Sequence, residues 1–238
     1  MKYPLLIALL CCGVMTLYAQ DQQAVLNARY EAAQEDYYSN SENKQLLLTG
    51  KNYFKYYPFT AGHQYFESKN YQRTVIHYDG ILYEDVSLNY DIFNKEIIIS
   101  TNLDNTIRYL ILDERRVLFF MMGENKFVFA DEEGIEAGLY ELAYEETSRL
   151  LIKYEKERLG LDRTSGAKAR YKFRERKDYY YINETGSHLI ESKKDLINAS
   201  SEPEKAAEYL KSNKLKVNKK SPLFQMELIQ VLSYLDSI

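Results

Sequence analysis

Between residues 45 and 182, short runs rich in β-branched and aromatic side chains recur, each broken by Gly, Asn or Asp. They cover residues 46–48, 53–57, 64–67, 74–78, 82–90, 96–101, 107–112, 117–121, 126–130, 139–145, 149–155, 170–174 and 179–182. Runs of this kind about 8–12 residues apart predict an antiparallel sheet built mostly of hairpins. Asp79-Gly80 is the clearest hairpin turn, because both residue types tolerate positive φ. Helical patterns do not alternate with the strands, which argues against repeated βαβ units. So many strands rarely stay in one flat sheet, so a strongly curled meander or two stacked sheets is expected.

The periodicity changes at both ends. Leu26, Tyr30, Ala33 and Tyr37 repeat at helical spacing and run into the turn cluster at 39–43. After Gly186, Ser192-Lys193-Lys194-Asp195 and Ser201-Glu202-Pro203-Glu204 both read as helix starts, with an acid three residues after the hydroxyl. Ser221-Pro222 reads as a cap with proline at the first helical position. Beyond it Phe224, Leu228, Val231, Leu232 and Leu235 share one apolar face. The expected class is α+β: an N-terminal helix over 20–44, an antiparallel β-rich domain over 45–186, and C-terminal helices over 187–238 packed on the sheet.

Residues 1–19 are set apart from this plan. Lys2 gives a basic start, residues 4–17 are an apolar run of 14, and Ala19 is a small exit residue. These are the parts of a secretory signal peptide. The run falls short of the roughly 20 residues that span a bilayer, and no later stretch is long enough, so no transmembrane anchor is expected. Leu17 departs from the small-x-small rule at the exit. Both cysteines, Cys11 and Cys12, lie inside this leader. Leu10 and Cys11 before them are poor fits to a lipidation site. A mature chain starting at Gln20 would therefore have neither disulfides nor thiolate chemistry.

Several segments resemble a group of uncharacterised exported proteins of the Bacteroidota. The residues that carry the resemblance are Leu47-Leu48-Thr49-Gly50-Lys51-Asn52-Tyr53, Gly62-His63-Gln64-Tyr65-Phe66 and Val75-Ile76-His77-Tyr78-Asp79-Gly80-Ile81-Leu82-Tyr83. Leu88-Asn89-Tyr90-Asp91-Ile92, Gly138-Leu139-Tyr140-Glu141-Leu142 and Glu191-Ser192-Lys193-Lys194-Asp195-Leu196 extend it. Each is a strand or turn pattern. The resemblance implies export into a Gram-negative envelope, to the periplasm or the outer membrane's surface, and it implies no activity and no site residues.

Chemistry is sparsely signalled. His63, His77 and His188 fall in three different elements, and no pair has a helical metal-ligand spacing, so neither metal nor other cofactor is expected. There is no glycine-rich phosphate loop and no nucleophile elbow. Of 23 tyrosines, Tyr53, Tyr56, Tyr57, Tyr65, Tyr71, Tyr78, Tyr83 and Tyr90 crowd one stretch. They could form a stacking platform, but tyrosine also suits half-buried strands, and the absence of Trp favours that structural role.

Charge patterning is more specific. Residues 124–146 hold eight acids and one base; residues 149–177 hold eleven bases and four acids. Lys168, Arg170, Lys172, Arg174 and Arg176 alternate with other side chains, which on a strand puts five cations on one face. One reading is a docking strip for an anionic partner. The other is a cross-strand ladder, with Glu141 and Glu145 facing Arg149 and Lys153, and Glu155 and Glu157 facing Arg170 and Lys172. Four acids cannot balance the local excess, so the end at Arg174 and Arg176 is expected to stay unpaired and exposed.

The expected protein is thus an exported, non-catalytic binding or accessory module of the envelope. Its expected partner is an anionic envelope component or another envelope protein. A net charge of −4 gives no reason to expect nucleic acid. Two alternatives stay open: a carrier or sensor of an apolar, lipid-like ligand held in a curled sheet, and a hydrolase of envelope polymers using His77 or a carboxylate pair. The leader makes the first test direct. Intact-mass measurement of protein from the native envelope should show residues 1–19 removed; a retained Met1 would refute the export reading.

Overall fold

A computed structural model of the chain describes residues 47–103, 105–161 and 169–238. The leader and the helix expected over 20–44 lie outside the described residues. The unit from Thr49 to Ile238 contains the strands and helices described below. Its strands are β1 (Lys51–Asn52), β2 (Thr60–Ala61), β3 (Gln72–Tyr78), β4 (Ile81–Asp91), β5 (Glu96–Leu103) and β6 (Thr106–Leu112). They continue as β7 (Val117–Met122), β8 (Asn125–Ala130), β9 (Gly138–Glu145), β10 (Arg149–Gly160), β11 (Tyr171–Asn183) and β12 (Gly186–Leu189). Three helices come after the strands: α1 (Lys193–Ala199), α2 (Pro203–Ser212) and α3 (Phe224–Asp236).

All twelve strands belong to one sheet, ordered β1-β6-β5-β4-β3-β7-β8-β9-β10-β11-β12, with β2 beside β11. This is two meanders sharing a seam. β3 to β6 form the first, and β7 to β12 form the second; β3 pairs antiparallel with β7 where they meet. The short 3₁₀ turn Glu114–Arg116 starts the return from β6 to β7. The one parallel pairing is β2 with β11, which makes the sheet mixed. The β3–β4 hairpin turns at Asp79-Gly80, whose φ angles of 54° and 80° are those a two-residue hairpin requires.

The sheet curls strongly, and it is one sheet rather than two. β4 and β10 are five places apart in the strand order, yet the Lys156 amide donates to the Ile92 carbonyl at 3.2 Å. The 64–66 segment fits into this closure: Ile92 N–H donates to Gln64 and Phe66 N–H to Tyr90. Inside the curl, Phe66 lies edge-on to Phe127 at 5.1 Å and to Tyr154 at 4.9 Å. Phe120 stacks on Phe127 at 5.0 Å, and Tyr90 closes on both. Each such pair contributes about 0.5–1.5 kcal/mol beyond its buried area.

Of the run 46–48, the described residues Leu47 and Leu48 lie in a helix end and a turn rather than a strand, and two further runs read as strands, 53–57 and 64–67, form no strand of their own. They belong to a strap that crosses β4, β5 and β6 and is held by side chains. The Tyr53 hydroxyl donates to Asp91 at 2.7 Å, and Asn89 donates to the carbonyls of Ser68 and Asn70. Pro58 lacks the amide a ladder needs, and Phe59 turns left-handed at φ 56°. Asp91 is fully buried and fully used, accepting also from the amides of Phe93 and Asn94 and from the Asn94 side chain.

The helices cover the inner face of β9 to β11. α1 starts as expected: Ser192 caps the Asp195 amide while Asp195 accepts back from Ser192 Oγ and from the Glu191 amide. α2 opens with Pro203 at its first turn, without a side-chain cap. α3 begins at Phe224, two residues later than the Ser221-Pro222 pattern suggests, because Ser221 and Pro222 form a preceding turn in which the Ser221 carbonyl accepts from the Phe224 amide. Phe224 lies edge-on to Tyr179 at 4.8 Å, and Leu228, Val231 and Leu232 are fully buried. Glu227 accepts from the Lys216 and Val217 amides, and Asp236 accepts from Tyr144, Ser148 N–H and Ser148 Oγ. Burial and the bond to Asp236 push the Tyr144 hydroxyl up to about 12. No helix among the described residues is long and apolar enough to cross a membrane.

Because an isolated helix of this length is marginal in water, α3 depends on this packing. Leu228→Ala should cost about 2–5 kcal/mol. Chemical denaturation would read it, and an unchanged midpoint would show α3 to be dispensable.

Candidate functional site: the cationic strand and its aromatic corner

Alternation along β11 sorts its side chains. Tyr179 and Tyr181 face the helix-covered interior, paired across from Ile152 and Leu150. That pairing fixes the hairpin register, because a slip would misplace the buried rings. Lys172, Arg174, Arg176 and Asp178 consequently share the outer face. The register sets Arg174 opposite Glu157 and Arg176 opposite Glu155. The expected pairing of Glu155 and Glu157 with Arg170 and Lys172 is therefore corrected: the buried tyrosines, rather than the charges, choose the alignment. Lys168 lies outside the described residues.

Arg174 bonds Glu157 at 2.6 Å through Nε, and Arg176 bonds Glu155 at 2.6 Å and Asp178 at 3.1 Å. Both arginine side chains are exposed, at 61% and 60%, but neither is unpaired. The expectation that this end of the strip is left free is overturned. The excess is balanced by acids that lie far away in sequence. Glu136 reaches Lys153 and Lys95; both lysines also reach Glu155; Asp178 and Glu191 share Lys219. Lys95, Lys153, Arg176 and Lys219 alternate with Glu136, Glu155, Asp178 and Glu191 in one neutral chain of ion pairs.

The upstream half of the expected ladder is also corrected. Glu145 does sit opposite Arg149, but Arg149 bonds Glu132 at 2.8 Å. A bulge between Leu150 and Leu151 places Glu141 opposite Ile152, not opposite Lys153. Glu141 thereby turns inward, where the Tyr154 hydroxyl donates to it at 2.5 Å and Gln225 on α3 at 3.4 Å.

What stays free is the other end of the strip. Among the described residues, Arg170 and Lys172 make no ion pair there, and neither does Arg158, which lies opposite Phe173 on the other face of the β10–β11 hairpin. Each is placed by the segment 57–61, which lies along the start of β11. The Phe59 carbonyl accepts from the Arg170 and Tyr171 amides. Arg158 donates to Thr60 Oγ1 and the Pro58 carbonyl, and stacks over Tyr171 at 3.8 Å. Arg170 lies over Phe59 at 5.4 Å. Tyr57, Phe93 and Phe173 pack edge to face beneath, at 5.1 to 5.5 Å.

The segment above them alternates. Tyr53 reaches Asp91, Lys55 reaches Glu96 and Tyr57 reaches Asn94, whereas Phe54 and Tyr56 are each 85% exposed and Phe59 61%. Of the eight clustered tyrosines, Tyr53, Tyr78, Tyr83 and Tyr90 are buried, and Tyr57, Tyr65 and Tyr71 are half-buried. Only Tyr56 projects fully. Sequence reasoning passed over Phe54, Phe59 and Arg158, and held Tyr56 only as one of eight clustered tyrosines. The density of rings around Pro58 was visible, but which of them face solvent depends on the strap's contacts.

The histidines stay apart. His63 stacks with Tyr65, His77 with Phe119, and His188 meets Thr185. Burial, with the charge of Lys156, holds the His63 imidazole below its ordinary range. No group of three His, Cys, Asp or Glu among the described residues could hold a metal ion. No protein-family model matches the chain, and no curated protein and no solved structure matches it.

Hydrogen bonds from Lys153 and Lys95 hold the Glu136 carboxyl down at about 2. Burial opposes ionisation at Glu155, but hydrogen bonding to Lys95 and the charges of Lys153, Lys95 and Arg176 keep it below the ordinary range. Both groups bind protons more weakly folded than unfolded. Their stabilisation is therefore complete above about pH 4.3 and is lost as pH falls towards about 2. Glu136 is well exposed, so screening limits its share to about 0.2–1 kcal/mol. Glu136→Gln should slightly lower the thermal midpoint near neutral pH and shrink its fall across that acid window; an unaltered acid profile would contradict the network.

Proposed function

We propose that the protein is an exported, non-catalytic binding module of the cell envelope, and that it docks an anionic envelope component at the Arg170–Lys172 corner. The observation that carries this reading is the contrast along a single strand. Arg174 and Arg176 are neutralised inside the fold, while the corner leaves Arg170 and Lys172 without carboxylates and sets Arg170 over the Phe59 ring. The Arg170 guanidinium over Phe59 keeps its charge and leaves its hydrogen-bonding edge available to phosphate or carboxylate, whereas Arg158 already donates to Thr60 and Pro58. Export rests on the leader pattern and on a mature segment without cysteine.

The alternative of a carrier for an apolar ligand needs open volume within the curl. Against it stands the interior packing: Phe66, Phe120, Phe127 and Tyr154 fill the curl ring against ring, and Phe224 seats on Tyr179. The hydrolase alternative has no paired catalytic groups to support it at the corner.

Binding to a soluble polyanion tests the corner. The double reversal Arg170→Glu/Lys172→Glu should weaken binding by more than about tenfold and leave the thermal midpoint nearly unchanged, and added salt should mimic it. Arg174→Glu/Arg176→Glu should instead lower the midpoint, because it sets like charges against Glu155 and Glu157. Equal binding by wild type and the corner variant would defeat the proposal.

A further inference from the structure

The structure assigns the corner a more specific partner: the surface of an anionic phospholipid bilayer, with Phe54, Tyr56 and Phe59 entering the headgroup region while Arg170 and Lys172 meet lipid phosphates. This inference rests on the docking surface proposed above and names what it docks to.

Three observations converge. The first is exposure. Phe54, Tyr56 and Phe59 lie within six residues of one segment, and each leaves most of its ring in water. A single exposed aromatic is ordinary, but three on one short segment form an apolar tip that water solvates poorly. The second is geometry. Tyr53, Lys55 and Tyr57 are bound to Asp91, Glu96 and Asn94, so Phe54 and Tyr56 point off the opposite side of an anchored strap. Phe59 holds its ring out from a left-handed backbone at φ 56°, a conformation costly for a bulky residue and kept by two hydrogen bonds from β11. The third is charge. Arg170, without a carboxylate partner, lies over Phe59, and Lys172 pairs across from Ala61 in the same segment, whereas acids neutralise the rest of the strip.

A soluble acidic glycan or acidic protein surface would use the cations alone. Rings with apolar faces, with one hydroxyl at Tyr56, suit the boundary between headgroups and acyl chains, and neighbouring Lys and Arg suit an anionic leaflet. No membrane-crossing segment is needed, because the surface acts from outside the bilayer.

The test uses the mature protein in vesicle co-sedimentation, with phosphatidylglycerol-rich vesicles, purely zwitterionic vesicles and a soluble polyanion as three arms. Wild type should sediment with the phosphatidylglycerol vesicles and much less with the zwitterionic ones. The variant Phe54→Ser/Tyr56→Ser/Phe59→Asn should lose vesicle binding by more than about tenfold while keeping its polyanion binding. Asn tolerates the left-handed backbone at 59, so folding is preserved, and the thermal midpoint checks it. Because the chain has no tryptophan, Phe54→Trp supplies a sole reporter whose emission should shift to the blue and be quenched by brominated lipid. Polyanion binding without vesicle binding, or vesicle binding with an unshifted tryptophan signal in Phe54→Trp, would overturn the bilayer assignment and leave the docking surface standing. Failure in all three arms would remove both.

Discussion

The contact between β10 and the end of β4 is the constraint on which the molecule turns. The Lys156 amide reaches the Ile92 carbonyl, and Lys156 Nζ reaches the Tyr65 carbonyl. Those bonds become possible only because Phe66 fills the inside of the bend against Phe127 and Tyr154. An uncurled sheet of this width would expose an apolar face, and its helices could cover only the strands at one end. Curling lets the sheet bury one part of itself against another. The charge of Lys156, forced into this seam, is correspondingly disfavoured by burial.

The same bend organises the outer face. It brings the β4–β5 turn, with Lys95, against Glu155 on β10 and Glu136 in the loop before β9. A chain of ion pairs then forms across strands that are not sequence neighbours. Individually such surface pairs contribute little, but their alternation leaves almost no unbalanced charge over the middle of β11. Along this strip the cations without carboxylate partners are therefore Arg170 and Lys172, where β2 joins β11, which is why position along the strand, rather than the number of arginines, defines the proposed docking surface.

Hydrogen-bonded carboxylates mark the joints. Asp91 ties the strap to β4, Glu141 ties α3 to β9 and β10, Glu227 fixes the chain entering α3, and Asp236 fixes its exit. Asp236 sits at a helix C-terminus, where a negative charge is unfavourable, and three donors from Tyr144 and Ser148 offset that cost. Each removal would leave donors stranded, so these acids hold the joints together.

Local patterns were enough for most elements. Alternating apolar positions gave the hairpins, Asp79-Gly80 its turn, Ser192 and Asp195 their capping box, and Phe224, Leu228, Val231 and Leu232 the buried face of α3. These depend on side chains a few residues apart, so the sequence carries them directly. It also carried the five-cation pattern, of which Lys172, Arg174 and Arg176 do share a strand face. It could not carry the balance of that pattern. Which acid meets which arginine follows from the β10–β11 register, set by buried tyrosines, and from a β9 bulge that turns Glu141 inward. Nor could it separate Phe54 and Tyr56 from Tyr53 and Tyr57, because identical residue types are sorted there by contacts to Asp91 and Asn94, about forty positions away. Tertiary structure decided where charge and apolar surface remain unsatisfied, since that is a sum over neighbours that only folding brings together.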